Sequence, residues 1–146
     1  VSRRGEAVEE NHMRELKMLI VEDEFLSREL LRTYVSDYGS CAIAVDGAEA
    51  VKATELSYEA GKPYDLIFMD IILPVMDGQD ALKRIRAYEA TRGILGGETC
   101  KVLMTTALSD AHSVMESFKN QCEGYVAKPY SKSMIDHAIK ELYPEP

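Results

Sequence analysis

Four short apolar runs in this chain each end on residues that could do chemistry. Lys17-Met18-Leu19-Ile20-Val21 runs into Glu22-Asp23-Glu24, and Leu66-Ile67-Phe68-Met69 runs into Asp70. Lys101-Val102-Leu103-Met104 runs into Thr105-Thr106, and Gly124-Tyr125-Val126-Ala127 into Lys128-Pro129. Singly, each ending is an ordinary cap, strand-end hydroxyl or surface charge. If the runs are parallel strands, however, their carboxyl ends open onto one crevice, which is where open α/β sheets bind ligands. Collected there, the carboxylates suit a divalent cation, while the hydroxyl and the lone ammonium suit phosphate oxygens. That is the chemistry of a phosphoryl site.

The elements that must position these groups are legible in the same way. Tyr64 to Pro74 contains an unbroken apolar run that stops at Asp70, which predicts a central strand buried on both faces. The first strand, about Lys17 to Val21, precedes a helical pattern of Leu26, Leu30, Leu31, Tyr34, Val35 and Tyr38, with Gly39 as its stop. Cys41 to Val45 predicts the second strand, and Ala48 to about Ala60 the second helix, ended by Gly61 and Pro63. Asp77 can cap a third helix with Ala81, Leu82 and Ile85 inward. Thr91 to Thr99, with three glycines, is a flexible connection. Ser109 or Asp110 can cap a fourth helix carrying Val114, Met115 and Phe118. The fifth strand leads to a fifth helix with Met134, Ile135, Ala138, Ile139 and Leu142 on one stripe. Strict alternation of five strands with five helices predicts a parallel sheet covered on both faces.

At 146 residues the chain fits one domain, with the 46% hydrophobic content of an ordinary globular protein. No apolar stretch approaches the ~20 residues of a membrane span, and the start lacks the apolar core of a signal peptide, so a cytoplasmic location is expected. The net charge of -8 speaks against direct DNA binding, which needs clustered Lys and Arg. Cys41, Cys100 and Cys122 are odd in number and lack metal spacing, as do the three histidines, so the cysteines read as buried thiols. Residues 1–15 are charged and offer no apolar face, which predicts a mobile tail or extension ahead of a domain over 16–146; Met13 could be a natural start. The chain stops just after the fifth helix, so no output domain is expected.

The strings Leu19-Ile20-Val21-Glu22-Asp23, Met69-Asp70-Ile71-Ile72-Leu73-Pro74-Val75-Met76-Asp77-Gly78, Thr105-Thr106-Ala107 and Tyr125-Val126-Ala127-Lys128-Pro129 stand in order, each at a predicted strand end. Together they resemble the receiver domain of two-component response regulators, close to the single-domain chemotaxis type. The resemblance implies a flavodoxin-like, doubly wound five-stranded sheet of order 2-1-3-4-5. It implies Asp70 as phosphoacceptor, with Mg2+ held by Glu22, Asp23, Asp70 and the backbone carbonyl of Ile72. Lys128 and Thr106 would assist the transfer, Thr106 and Tyr125 would form the switch pair, and the Lys128-Pro129 bond would be cis. Glu22 replaces the usual aspartate and is one methylene longer, so it would reach the metal through water. Leu73 replaces a frequent methionine.

The implied function is to take a phosphoryl group from a sensor histidine kinase or histidine phosphotransfer protein and to signal by conformation to a downstream protein. Such a chain catalyses only its own phosphorylation and dephosphorylation. A phosphorylation-independent interaction module is the alternative, and a Mg-dependent aspartyl-phosphate phosphatase is a further one. The dehalogenase-like phosphatases need a second acid two positions after the nucleophile, where this chain has Ile72. Ile72 and Leu108 are both apolar at the positions that flank the hydrolytic water in the family, which implies a slowly decaying phosphorylated state. Ala107 stays small and leaves the acceptor accessible.

Overall fold

The protein is described by a computed structural model covering residues 15–107 and 121–144. Strands β1 (Leu16–Val21), β2 (Gly39–Ala44), β3 (Leu66–Asp70), β4 (Lys101–Ala107) and β5 (Gly124–Lys128) form one sheet in the order β2-β1-β3-β4-β5. Every neighbouring pair is parallel. Four α-helices are described: α1 (Phe25–Val35), α2 (Gly47–Glu59), α3 (Gly78–Thr91) and α4 (Lys132–Leu142). The helix expected from Ser109 or Asp110 through Phe118 lies outside the described residues, as do Leu108 and all but the last residue of the expected tail. Among the described residues no helix is long and apolar enough to cross a membrane.

The unbroken apolar runs are explained by two cores, one on each face of the sheet. Leu19, Val21, Ile67, Met69, Val102 and Met104 point one way, onto Ala50 and Val51 of α2 and Ala81, Leu82 and Ile85 of α3. Met18, Ile20, Leu66, Phe68, Leu103 and Val126 point the other way, onto Leu31 and Val35 of α1 and Ile135 and Ile139 of α4. Side chains along a strand alternate between faces, so a strand must be apolar at every position when both faces are covered. Asp46, Asp77 and Ser131 cap α2, α3 and α4 by accepting the backbone N–H groups of Glu49, Asp80 and Met134 at 2.8, 2.9 and 3.2 Å.

Three expectations shift. Gly39 does not stop the first helix: α1 ends at Val35, a single 3-10 turn covers Ser36–Tyr38, and Gly39 opens β2 at φ 150°. A Cβ at Gly39 would stand 2.0 Å from the Leu16 carbonyl oxygen, its neighbour in the sheet, so the edge strand can join β1 only through glycine. Leu26 and Leu30 are not part of the inner stripe of α1, being 72% and 40% exposed, whereas Leu31 and Val35 are buried. Cys41 is half-buried on the edge strand, while Cys100 and Cys122 are buried as expected.

Gly78 controls how closely α3 approaches the end of β3. Its N–H donates to the Ile71 carbonyl at 2.8 Å, and a Cβ would lie 2.0 Å from the Asp70 carbonyl oxygen. Backbone atoms cannot yield as a flexible side chain would. Gly78→Ala is therefore expected to lower stability by on the order of 2–3 kcal/mol, read as a lower urea midpoint. A midpoint equal to the parent's would show that the strand end relaxes freely around the methyl group.

Candidate functional site

Asp70 is the last residue of β3 and stands beside Thr105 of β4 in the sheet register. The chain leaves the strand under control, because the Ile71 N–H still donates to the Thr105 carbonyl at 3.1 Å. Glu22 follows β1, and its N–H donates to the Ala44 carbonyl of β2 at 3.0 Å. That extra bond carries Glu22 inward, to 1% exposure, while Asp70 is at 5%. Asp23, next in the chain, is exposed. One carboxylate oxygen from each of Glu22, Asp23 and Asp70 lies within 4.8 Å of the others. The three acids legible at two strand ends thus converge on one point.

Lys128, the last residue of β5, reaches across β4 to this cluster. Its Nζ lies 2.9 Å from Glu22 Oε1 and 3.0 Å from Asp70 Oδ2. The other oxygen of Glu22 accepts the Glu24 N–H at 3.2 Å. Burial raises the pKa of Glu22; the Lys128 hydrogen bond opposes that rise and the Asp70 charge adds to it. Burial alone would lower the pKa of Lys128, but its hydrogen bonds to Glu22 and Asp70 outweigh this and hold the ammonium above the ordinary lysine value. The Lys128-Pro129 peptide bond is cis, as the resemblance implied.

The remaining candidates fall nearby. Thr106 is buried near the end of β4, one residue beyond the neighbour of Asp70, and stands beside Ala127 in the register. Tyr125 lies on β5, is 43% exposed, and lines a cavity of about 340 Å³ between β5 and α4. Ile72 extends from the loop after β3, 73% exposed. Two buried hydroxyls at the site were not among the candidates. Tyr130 directs its hydroxyl at Glu22 Oε1 from 3.5 Å, with the Thr105 hydroxyl beside it. The signal available in the sequence was an aromatic residue that carries a hydroxyl directly after Lys128-Pro129.

The donor set fits a hard divalent cation. Three carboxylates offer oxygen ligands around one point, and among the described residues the Lys128 ammonium, with the Arg28 guanidinium on the Glu22 carbonyl, leaves negative charge in excess. With both Glu22 oxygens engaged by protein donors, Asp23 and Asp70 are the carboxylates best able to bind such an ion directly.

A family model for the response regulator receiver domain matches residues 18–140. The chain belongs to this family. It is 31% identical to the chemotaxis protein CheY of Listeria monocytogenes over 128 residues, which is 86% of this chain and 97% of that protein. Among solved structures it is similar to the receiver domain of the response regulator Ssk1, determined with the histidine phosphotransfer protein Ypd1 of Saccharomyces cerevisiae. The TM-score is 0.72 and the identity 27%, over 89% of this chain and 90% of that one. It shares its fold with the receiver domain of a sensor histidine kinase from Pseudomonas aeruginosa, solved with a magnesium ion in the active site cleft. That TM-score is 0.69 at 24% identity, over 87% of this receiver and 96% of the other.

An ion that binds the folded receiver and not the unfolded chain must stabilise it, by about 2.7 kcal/mol at a concentration 100 times its Kd. Mg2+ is therefore expected to raise the unfolding midpoint of the parent, and Asp23→Ala to abolish most of that rise. An equal rise in both proteins would place the ion elsewhere.

Proposed function

We propose that this receiver accepts a phosphoryl group on Asp70 from a phosphohistidine of a sensor kinase or phosphotransfer protein, in a Mg2+-dependent reaction, and signals through a change of shape. The observation that carries the reading is the convergence of Glu22, Asp23 and Asp70 with Lys128 as the ammonium between the two buried acids. A carboxylate oxygen of Asp70 attacks phosphorus, the P–O bond forms, and the P–N bond breaks with the electron pair leaving on the imidazole. Two anions must approach for this. Lys128 offsets part of the repulsion from within the protein, and a Mg2+ ion on Asp23, Asp70, the Ile72 carbonyl and, through water, Glu22 would supply the rest. Burial of Asp70 in a preformed crevice fixes the direction of attack.

The surroundings of the crevice support a protein donor. Phe25, Leu26, Leu30, Ile72 and Val75 are all exposed, on the helix that follows β1 and the loop that follows β3, both at the carboxyl-end rim. An apolar rim around a charged acceptor suits docking by a protein surface better than capture of a small phosphoester. The structural relative seen with a histidine phosphotransfer protein points the same way. Ile72 occupies the position where a phosphatase of the dehalogenase type needs its second acid, so the receiver acts as acceptor and catalyses only its own phosphorylation and dephosphorylation. The acidic chain, at net charge -8, disfavours direct DNA contact and is read as acting in the cytoplasm on a protein target.

The shape change runs through Thr106 and Tyr125. A phosphoryl group on Asp70 draws the Thr106 hydroxyl toward it, and the exposed Tyr125 ring moves into the space vacated. Thr106→Ala should keep phosphorylation and lose the accompanying chemical-shift changes at Tyr125 and α4. The same changes in parent and variant would exclude Thr106 as the link.

Incubation with acetyl phosphate and Mg2+ should leave phosphate on the parent and none on Asp70→Asn, whose amide matches the carboxylate in size and is not a nucleophile. Turnover of a stable phosphomonoester would favour a phosphatase instead. Followed over time, the parent's phosphate should decay slowly, and Ile72→Asn with Leu108→Glu should accelerate that decay on the order of tenfold, a barrier change near 1.4 kcal/mol. Equal decay would show that these side chains do not control the attacking water.

A further inference from the structure

Behind Glu22 lies a short chain of buried hydroxyls. The Tyr130 hydroxyl is aimed at Glu22 Oε1 from 3.5 Å, and the Thr105 hydroxyl neighbours it. All three residues are buried. The Tyr130 ring packs into the core between the sheet and helices α1 and α4, so its hydroxyl is held at a fixed depth beside the crevice. A phenylalanine would fill the same apolar space. Placing a hydroxyl there is useful only if it has a polar partner.

The length of the Tyr130 contact is informative. Hydrogen bonds between oxygens cluster between about 2.5 and 3.0 Å, so at 3.5 Å the contact is long and weak. The same oxygen of Glu22 is already taken, by Lys128 Nζ at 2.9 Å. Glu22 Oε1 therefore has one close donor and a second in reserve. The close donor is shared with Asp70 at 3.0 Å, and Asp70 is the group whose charge changes on phosphorylation. Once the acyl phosphate forms, the negative charge lies on the terminal phosphoryl oxygens, farther out in the crevice, and the ammonium of Lys128 is drawn after it. A buried carboxylate deserted by its donor is strongly disfavoured.

We propose that Tyr130 is a positioning residue that takes over Glu22 Oε1 when Lys128 turns to the phosphoryl group, its hydroxyl closing from the reserve distance with Thr105 donating behind it. The inference rests on phosphorylation at Asp70. It makes the hydroxyl more valuable in the phosphorylated state than in the free one, because only there does Glu22 lack Lys128. Donation through a chain of hydroxyls strengthens each link, which gives Thr105 a part in the same device.

The test uses the parent protein with carbon-13 at tyrosine Cζ, whose chemical shift reports hydrogen bonding of the phenol oxygen. Of the eight tyrosines, the Tyr130 resonance is the one missing from Tyr130→Phe. It is expected to stay in place with Mg2+ alone and to move when beryllofluoride, an anionic mimic of the phosphoryl group, is added. Tyr130→Phe should bind beryllofluoride roughly tenfold more weakly, as expected for one hydrogen bond to a charged group, with Mg2+ affinity changed by less than about threefold. Thr105→Val should show a smaller loss of the same selective kind. A Tyr130 signal that does not move in a parent whose crevice responds to beryllofluoride overturns this inference alone. So does an equal loss of Mg2+ and beryllofluoride affinity in Tyr130→Phe, the mark of a purely structural residue. A parent that shows no response to beryllofluoride overturns both this inference and the phosphoacceptor reading.

Discussion

One ammonium group lies between two buried carboxylates, and the arrangement of the crevice depends on keeping it there. Without Lys128, Glu22 and Asp70 would share a poorly solvated space without the ammonium that pairs with both, and burial already raises the pKa of Glu22. The lysine can do this only from the last residue of β5, two strands away from β3. Its reach therefore rests on two registers at once: Asp70 beside Thr105, and Ala107 beside Lys128. Side chains alternate along a strand, so a slip of one residue in either pairing would send Lys128 to the opposite face of the sheet.

The registers are secured away from the crevice. A third buried acid, Glu89 of α3, accepts the Cys100 N–H at 3.0 Å and the Tyr58 hydroxyl, which ties α2 and α3 to the residue that opens onto β4. Arg86 pairs with Glu89 at 2.9 Å and donates to the carbonyls of Cys100 at 2.8 Å and Gln121 at 2.7 Å. Glu123 in turn accepts the Val102 N–H at 2.7 Å and pairs with Arg86 at 3.3 Å. These contacts join the entries of β4 and β5 to one helix. The carboxyl ends are left to carry the acids and the lysine of the proposed phosphoacceptor site, while the opposite ends carry the polar contacts that set alignment.

Much of this was legible because the signals were local. Asp70 closes an apolar run that only a doubly covered strand would contain, and Lys128 precedes a proline at the end of another; four such endings in order define a crevice before any coordinate is known. The inner face of α3 was equally plain, since Asp77 caps it and Ala81, Leu82 and Ile85 repeat at helical spacing. What the sequence concealed depends on neighbours distant in the chain. Leu26 and Leu30 fit an apolar stripe by spacing, yet the face of α1 that meets the sheet is the neighbouring one, through Leu31 and Val35, a rotation that spacing alone does not fix. Gly39 resembles a helix stop, but it is glycine because the Leu16 backbone lies against it. Tyr130 reads as a core aromatic until Glu22, 108 positions away, is found opposite its hydroxyl.

The account stands on Asp70 being the residue that carries phosphate. An acyl phosphate can be reduced by borohydride, which replaces the labile group by an alcohol and leaves homoserine where aspartate stood, so peptide mass spectrometry can read the site directly. After incubation of the parent with acetyl phosphate and Mg2+, the account predicts homoserine at position 70 and at no other aspartate, and none when Mg2+ is chelated. Homoserine at Asp23 or another acid, or an equal yield at position 70 without Mg2+, would contradict it.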